Sequence, residues 1–528
     1  MPDPLFSLSG AFGTGPNREL ELRAQLAQDP ADIAAARELA DLLAQQGRAA
    51  EAIDLLERAL DRCPDDQKAR ATLAALLLHS GNFERALKQF KQLRPPLRTS
   101  FETQTSEAGA LGMLGRHAEQ VEIYRKLLRQ HPNDPRLWER LGNALKYLGR
   151  TAEAVRAFQR SVKIDASYGE GWWALANVKT FRFGADDVTA MRKALAGTAH
   201  PLHTAQLNYA LGKALEDQGE FEESFRHYAE GNRIKATEFS PEQMTTARLT
   251  DYVDSAIATF DAALLSRASR TGDDGNHPIF VVGLQRSGST LVEQILASHS
   301  SIEGLAEPDA MLHVWTDLES AAAKSGKTVW KTIGDLTPAG LDAIAAEYLQ
   351  RIAPFRKERC PFFVDKRPAN WMYVGLIRLV LPNAKIVDAR RHPMASGFSN
   401  FKQCYAGNAF PFSYNLSSIG RYYAEYVRLM RHFDALQPGA IHHVLNEELI
   451  EDPEGQIRRL LDYVGVPFEP ACLEFHRTKR AVTTASAEQV RTPLNRQGVD
   501  QWRNFDPWLG ELRDALGPTL SDWDEIPR

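Results

Sequence analysis

Apolar residues in the first half of the chain follow a pattern that repeats every 34 residues. In each repeat leucine precedes a glycine, and a small residue usually follows the glycine five positions later. The glycines are Gly47, Gly81, Gly115 and Gly149, and the residues five positions later are Ala52, Ala86, Gln120 and Ala154. Glycine suits a helix end, and a small residue suits a close helix crossing. The pattern predicts an all-α array of stacked helix pairs over residues 29–235.

The pattern is less regular at the ends of this array and in its third unit. Pro95-Pro96 interrupts the third unit, Phe181–Pro201 predicts an irregular helix, and Leu207–Ile234 predicts a further helix pair. Residues 1–28 carry Pro, Gly and Ser before a charged helix start, so this N-terminus is predicted to be loosely ordered. Residues 236–277 predict a helical linker that ends in a turn-rich loop.

Beyond residue 278, short apolar runs alternate with segments of helical spacing. The runs have the length of buried strands, and the segments between them have that of helices. The candidate strands are Ile279–Val282, Ile302–Leu305, Phe362–Asp365, Lys385–Ala389 and Ile441–Val444, and the candidate helices are Thr290–Ala297, Trp371–Leu381, Ala395–Cys404, Ile419–Leu436 and Glu454–Val464. This alternation predicts an α/β domain over residues 278–528, with a parallel sheet and helices on both faces.

The first of these strands is followed by a glycine loop, residues 283–290, with the sequence GLQRSGST. A strand, a glycine loop and a helix start direct backbone N–H groups at an anion. The spacing is that of a triphosphate-binding loop, but Ser289 occupies the position of the lysine that reaches the β- and γ-phosphates. Arg286 supplies the cation instead, and its fork suits a compact anion such as a phosphosulfate. The simpler explanation is a glycine turn that needs no ligand.

Charged residues follow four of the strands. They are Arg286, Glu307, Lys366 and Arg391. The carboxyl ends of parallel strands meet at one crevice, so this set predicts a site that binds a multiply anionic nucleotide and also holds a base. Glu307 is the preferred base because burial after an apolar strand would raise its pKa. His299 and His313 remain rivals for that role.

Composition narrows the class of partner. The formal net charge is −5 in 528 residues, so general attraction to nucleic acid is not expected. Four scattered cysteines give no metal-binding spacing, so no metal is predicted. The N-terminus has no basic segment followed by an apolar one, and no stretch approaches 18 apolar residues. A cytoplasmic protein without a membrane span is the default expectation.

Two families resemble this chain. The 34-residue period makes residues 30–235 similar to tetratricopeptide repeats, which form a superhelix. Residues 275–515 resemble the P-loop-like sulfotransferases that use 3′-phosphoadenosine 5′-phosphosulfate, above all tyrosylprotein sulfotransferases and bacterial proteins that join both kinds of domain. The motifs that carry this second resemblance are GLQRSGSTL, Glu307 located 21 residues after Arg286, VDKRP, and Arg391 with Ser399.

The second resemblance implies a role for each matching residue. The 5′ group of the donor would be bound by Arg286, Ser287, Gly288, Ser289 and Thr290, and the 3′-phosphate by Arg391 and Ser399. Glu307 would be the base, while Lys366 and Arg286 would stabilise the transferring sulfonate. The segment SAEQVRTPL would close over the donor, with Ser486 as a transition-state helper and Gln489, Val490 and Arg491 at the nucleotide. The product would be adenosine 3′,5′-bisphosphate, with no metal required.

Several questions stay open at this point. The acceptor is a hydroxyl or an amine of a peptide, a glycan or a small molecule. The alternatives for the repeat array are that it binds a peptide, the substrate or a partner subunit, that it only packs on the following domain, or that it mediates self-association into a homo-oligomer. Two rival functions also remain. One is a P-loop kinase or NTPase, which should need magnesium, and the other is a repeat-based scaffold whose nucleotide-binding domain is inert.

Overall fold

The computed structural model of the chain describes residues 16–268, 275–305, 307–407, 409–478, 489–496 and 498–526. It divides into two compact units, one ending at Ala174 and the other beginning at Leu175. This division does not test the domain limits that the repeat and the strand pattern predict, so those limits stay a prediction.

The first unit consists of helix pairs. Its helices are α1 (Pro16–Gln28), α2 (Ile33–Gln45), α3 (Ala49–Arg62), α4 (Gln67–His79), α5 (Phe83–Gln92), α6 (Phe101–Met113), α7 (His117–Gln130), α8 (Pro135–Tyr147) and α9 (Thr151–Ile164), and α10 (Gly169–Ala176) continues into the second unit. Each of the four repeat glycines ends the first helix of a pair with φ between 69° and 78°, a left-handed conformation that glycine adopts at low cost.

Small residues allow the paired helices to approach each other closely. Ala52, Ala86 and Ala154 are fully buried where their helices cross. The third pair has Gln120 at this position, and its side chain lies against Gly112, where a Cβ atom would be 2.6 Å from Gln120 Nε2. The larger side chain is therefore accommodated by a glycine on the facing helix.

The prediction of a loosely ordered N-terminus is wrong for residues 16–28, which form α1. Leu22 is 1% exposed in the core shared with α2, and Leu26 packs against the same core. Burial of this apolar face stabilises the helix, a tertiary effect that local composition does not reveal. Residues 1–15 lie outside the described residues.

The second unit opens with helices. These are α11 (Ala185–Gly197), α12 (Pro201–Gln218), α13 (Phe221–Ala236), α14 (Pro241–Met244), α15 (Ala247–Thr259) and α16 (Ala262–Leu265). Helix α11 is regular, whereas the sequence predicts an irregular one, and the Asp187 carboxylate accepts a hydrogen bond from the Gly184 amide at its start. Helices α12 and α13 repeat the pair geometry, with Gly219 at φ 82° between them.

The rest of the second unit is built on a five-stranded sheet. Its elements are β1 (His277–Gly283), α17 (Ser289–Leu296), β2 (Ile302–Gly304), α18 (Ala310–Lys324), α19 (Val329–Gly334), α20 (Pro338–Ile352), β3 (Phe362–Lys366), α21 (Val374–Val380), β4 (Lys385–Arg390), α22 (Pro393–Phe401), α23 (Leu416–Leu436), β5 (Ile441–Leu445), α24 (Asn446–Glu451), α25 (Pro453–Val464), α26 (Gly510–Leu516) and α27 (Pro518–Ser521). Short 3₁₀ turns lie at Leu97–Thr99, Ala353–Phe355, Pro368–Tyr373, Pro411–Tyr414, Pro470–Cys472, Phe475–Arg477, Gln489–Arg491, Gln501–Trp508 and Asp522–Glu525.

The strand order is β2-β3-β1-β4-β5, and every pairing is parallel. The five predicted strands and the parallel sheet are confirmed. Helices α17 and α25 pack on one face through Val292, Ile295, Ile457 and Leu460, and on the other face Phe280 contacts Tyr348 of α20 with ring centroids 5.4 Å apart. The carboxyl ends of β1, β3 and β4 therefore lie side by side at one edge, where the candidate residues follow them.

Candidate functional site

The glycine loop joins β1 to α17 through positive φ angles at Gly283, Arg286 and Gly288. Gly283 has φ 141°, and a Cβ atom there would lie 2.4 Å from the Ala389 carbonyl oxygen of β4, so only glycine allows this close approach. Arg286 has φ 67°, a left-handed conformation that costs a non-glycine residue energy and recurs at functional sites. Asn400 of α22 is fully buried and donates from Nδ2 to the Gln285 carbonyl oxygen at 2.8 Å. The loop is thereby held against α22.

Two largely buried guanidinium groups converge at this loop. Arg286 donates from Nε to Ser399 Oγ at 3.3 Å, and Arg391 donates to the Arg286 carbonyl oxygen at 3.4 Å. Burial lowers the pKa of Arg286, and burial together with the nearby Arg286 lowers the pKa of Arg391 to about 10, although Glu447 opposes that shift. Burial disfavours the charged form of both guanidinium groups, so an anionic ligand at the loop would stabilise both cations.

Two buried hydroxyl groups add to this anion-binding character. Among the described residues, Ser287 Oγ in the loop and Ser396 Oγ in α22 have no hydrogen-bond partner. Buried polar atoms are normally paired, so a hydroxyl left over at a glycine loop is a donor available to a ligand. This donor set, with two guanidinium groups, fits a nucleotide that carries phosphate groups at two positions.

A second charged group lies around Lys366 at the end of β3. The Lys366 side chain is fully buried, its Nζ donates to Glu307 Oε1, and Glu293 Oε2 of α17 lies 3.8 Å from the same nitrogen. Glu293 is 2% exposed. A buried ammonium between two carboxylates has a fixed position, which is a requirement for electrostatic stabilisation of a reacting group.

The predicted burial of Glu307 is wrong. Its side chain is 46% exposed, because β2 ends at Gly304 and Glu307 lies beyond it in the following loop. The buried acid of this segment is Glu303 within the strand, whose carboxylate accepts from the backbone N–H groups of Glu358 and Arg359 at 2.7 and 3.2 Å. Exposure leaves the Glu307 carboxylate accessible to an acceptor molecule.

Tyr405 connects the two charged groups. Burial raises its pKa, the Arg286 guanidinium opposes that shift and the Glu307 carboxylate adds to it, so the phenol lies within electrostatic range of both residues. Its hydroxyl donates to Asn400 Oδ1 at 2.7 Å. Asn400 thus fixes both the loop and this phenol.

The structure assigns other polar residues near the sheet to packing. His299 lies beyond α17, near the start of β2, where Nε2 is 2.9 Å from the Pro467 carbonyl oxygen and Nδ1 accepts from the Ser301 amide. His313 is an exposed residue of α18. Asp388 is fully buried; burial opposes its ionisation, but Arg390 and His443 outweigh burial, and its pKa lies below the usual range.

The C-terminal candidates are described in part. Ser486 and the side chain of Gln489 lie outside the described residues. Val490 is 2% exposed and packs with Leu291 of α17, and Arg491 follows it in the same 3₁₀ turn. This placement brings the segment beside the helix that follows the glycine loop.

Sequence reasoning missed Glu293, Asp365 and Tyr405. Glu293 sits on α17 among residues of helical spacing, where its contact with β3 follows only from the packing. Burial raises the pKa of Asp365 to about 7, against hydrogen bonds from Tyr348 and Asn370 at 3.0 and 3.2 Å. Its position beside Lys366 in VDK was a signal that could have been used, whereas Tyr405 follows no strand.

Comparisons with known proteins agree with this architecture. Residues 278–470 match the sulfotransferase family, residues 43–102 match the tetratricopeptide repeat family, and residues 97–166 match a bacterial transcriptional activator domain. An uncharacterized protein of Aquifex aeolicus is 30% identical over 406 residues; the aligned part is 75% of this chain and 52% of that protein, so the chain spans about half the length of this relative. A putative protein-tyrosine sulfotransferase of Caenorhabditis briggsae is 25% identical over 251 residues, which cover 46% of this chain and 87% of that protein.

Two solved structures are also similar to parts of the chain. A sulfotransferase domain from the Synechococcus PCC 7002 olefin synthase is 21% identical and covers 43% of this chain and 87% of its own, with a TM-score of 0.30. MamA from Desulfovibrio magneticus RS-1 is 14% identical and covers 43% of this chain and 100% of its own, with a TM-score of 0.27. Within the described residues, no helix is long and apolar enough to cross a membrane. The two family matches show a domain of the sulfotransferase family at residues 278–470 and tetratricopeptide repeats at residues 43–102.

Proposed function

We propose that the chain transfers a sulfonate group from 3′-phosphoadenosine 5′-phosphosulfate to a hydroxyl or amine of an acceptor. The observation that carries this proposal is the convergence of Arg286, Arg391 and Ser399 beside a loop in which Ser289 replaces the triphosphate-binding lysine. Two guanidinium groups and a half-buried hydroxyl suit a nucleotide with a 3′-phosphate and a 5′-phosphosulfate better than a metal-bound triphosphate.

The residues of the loop and of α22 would bind the donor. The amides at the start of α17, together with Ser287 and Thr290, face the 5′ group, with Arg286 at the sulfonate end. Arg391 and Ser399 hold the 3′-phosphate, and Val490 and Arg491 border the nucleotide from the C-terminal segment. Among the described residues no group of three or more acidic, histidine or cysteine side chains could hold a metal ion. We expect the guanidinium groups of Arg286 and Arg391 to balance the negative charge of the donor.

Transfer would proceed by in-line displacement. Glu307 accepts the proton of the acceptor O–H or N–H group, the acceptor atom forms a bond to sulfur, and the bond from sulfur to the 5′-phosphate oxygen breaks. The electron pair of that bond leaves with adenosine 3′,5′-bisphosphate. Lys366 and Arg286 stabilise negative charge on the sulfonate and bridging oxygens, and the contact of Lys366 with Glu307 orients the base towards the reacting centre.

The test is a screen of cell extracts with donor labelled in its sulfonate group. The wild-type chain should label an acceptor, whose chemistry identifies it as a peptide, a glycan or a small molecule. Glu307→Gln should lower the rate by about 10²- to 10⁴-fold, the range that a general base contributes. The matched control is Glu319→Gln, which changes an exposed glutamate of α18.

The binding of adenosine 3′,5′-bisphosphate gives the second readout. The Kd for this nucleotide should change by less than about threefold in Glu307→Gln, because Glu307 is not expected to contact the nucleotide. Loss of one charge-assisted contact to the nucleotide would raise the Kd by more than that. Equal transfer by the wild type and Glu307→Gln would contradict the proposed base. No transfer to any fraction by a wild-type chain that binds the nucleotide would favour the scaffold function.

A further inference from the structure

The helix pair α12–α13 contacts the sulfotransferase fold through a buried asparagine. Asn232 of α13 is 1% exposed and donates from Nδ2 to the Phe401 carbonyl oxygen at 2.8 Å and to the Tyr228 carbonyl oxygen at 2.7 Å. Its Oδ1 accepts from the Tyr209 hydroxyl of α12 at 2.8 Å. Every polar atom of this side chain is therefore used, and one bond reaches the last residue of α22.

The hydrogen bond from Asn232 reaches a carbonyl group at the C-terminal end of α22. The last carbonyl groups of a helix have no partner within the helix, so a donor from another element fixes the helix end. Phe401 is the C-terminal residue of α22, and its neighbour Asn400 donates to the Gln285 carbonyl oxygen of the glycine loop. Two consecutive residues thus tie α22 to the helix pair on one side and to the loop on the other.

Further contacts support the same attachment. Lys402, directly after α22, donates to Glu216 Oε1 of α12 at 2.7 Å, and Tyr228 donates to the other oxygen of that carboxylate at 2.8 Å. The ring of Phe225 stacks on Phe401 and on Trp508, with centroids 5.7 and 5.9 Å away. Stacked rings and a paired, buried carboxylate hold the end of α22 in one place.

The same helical region also brings an amine near the loop. Lys179, in the turn before α11, has a pKa lowered well below its usual value by burial, and the Arg286 guanidinium lowers it further. Lys179 therefore lies within electrostatic range of the candidate sulfonate-binding cation.

We propose that the helix pair α12–α13 supports the nucleotide-binding site from outside it, and that Asn232 is a positioning residue, which fixes α22 so that Ser399 and Arg391 face the glycine loop. This inference rests on the proposed function, because it assigns the 3′-phosphate to α22. The pair has the geometry of a repeat, yet its contacts make it a component of the transferase.

The experiment compares two buried asparagines of the same helix pair. Asn232→Leu removes the bond to α22. Asn208→Leu is the matched control, because Asn208 is 2% exposed and bonds only to Thr204 and His227 among the described residues. Both variants lose buried hydrogen bonds within the pair, so both should lower the melting temperature. Only Asn232→Leu should raise the Kd for adenosine 3′,5′-bisphosphate, by about tenfold.

The outcomes separate this inference from the proposed function. Equal Kd values for the two variants, with the wild type binding normally, would overturn the positioning role alone. A wild-type chain that fails to bind the nucleotide would overturn the proposed function. If Asn232→Leu does not fold, Glu216→Gln replaces it, since it weakens the pairing with Lys402 while keeping the shape of the side chain. A Kd raised about threefold supports the inference, and an unchanged Kd contradicts it.

Discussion

Replacing Lys366 with methionine removes a fully buried cation from between two carboxylates. The two sides of this contact are unequal. Glu307 is 46% exposed, so its loss of a partner is screened by water and should cost about 0–1 kcal/mol. Glu293 is 2% exposed and lies 3.8 Å from Lys366 Nζ, so removal of the cation should destabilise the unit by up to about 3–5 kcal/mol.

The effect on the reaction has a different origin. An electrostatic group that stabilises charge in a transition state typically contributes about 10²–10³ in rate. We expect Lys366→Met to lose transfer by that factor, and to change the Kd for adenosine 3′,5′-bisphosphate by less than about threefold, because the two arginines and Ser399 are untouched.

The assay separates the two effects with a double variant. Lys366→Met/Glu293→Gln removes the buried carboxylate together with the cation, so its melting temperature should recover towards the wild-type value. Its transfer rate should stay as low as that of the single variant. Thermal unfolding and single-turnover transfer of labelled sulfonate measure the two quantities at a temperature where all variants are folded.

Two results would refute this reasoning. Transfer by folded Lys366→Met within tenfold of the wild type would show that the buried ammonium does not stabilise the transition state. Recovery of transfer together with stability in the double variant would show that the loss came from unfolding.

Two further predictions concern the nucleotide site and the core. Arg391→Met should weaken the binding of adenosine 3′,5′-bisphosphate by about 10- to 100-fold, the value of a charge-assisted hydrogen bond. The binding of adenosine 5′-monophosphate, also measured by calorimetry, should not change. Equal weakening for both ligands would contradict the assignment of the 3′-phosphate to Arg391. The pKa of Asp365 is raised in the folded state to about 7, whereas the unfolded pKa is near 4. Protonated Asp365 therefore contributes stability that is fully present below about pH 4. This contribution should be lost as pH rises from about 4 through 7, by about 1.4 kcal/mol per pH unit at most. Asp365→Asn should flatten that part of the melting profile, and an unchanged profile would contradict it.

The fold follows closely from the sequence because its signals are local and periodic. Glycines at a spacing of 34 mark left-handed helix ends, and short apolar runs mark strands that are buried on both faces. The glycine loop, Lys366 and Arg391 can be predicted for the same reason, since each lies at the end of a strand or directly after it.

The contacts that assemble the site are not local. The burial of Glu307 was inferred from the strand before it, but the strand ends at Gly304 and Glu303 is the buried acid. Glu293 and Lys366 are 73 residues apart, and Asn232 and Phe401 are 169 apart. No spacing pattern encodes such pairs, so the role of α12–α13 becomes visible only after the helices are packed.

The most direct measurement is calorimetric titration of the full chain with adenosine 3′,5′-bisphosphate in the presence of chelator, beside a titration with magnesium and ATP. We expect saturable one-to-one binding of the bisphosphate and none of the triphosphate, because Ser289 occupies the position of the triphosphate-binding lysine and two guanidinium groups lie at the loop that we propose binds the bisphosphate. Tight binding of magnesium-ATP, with no heat from the bisphosphate, would contradict the proposed sulfonate transfer.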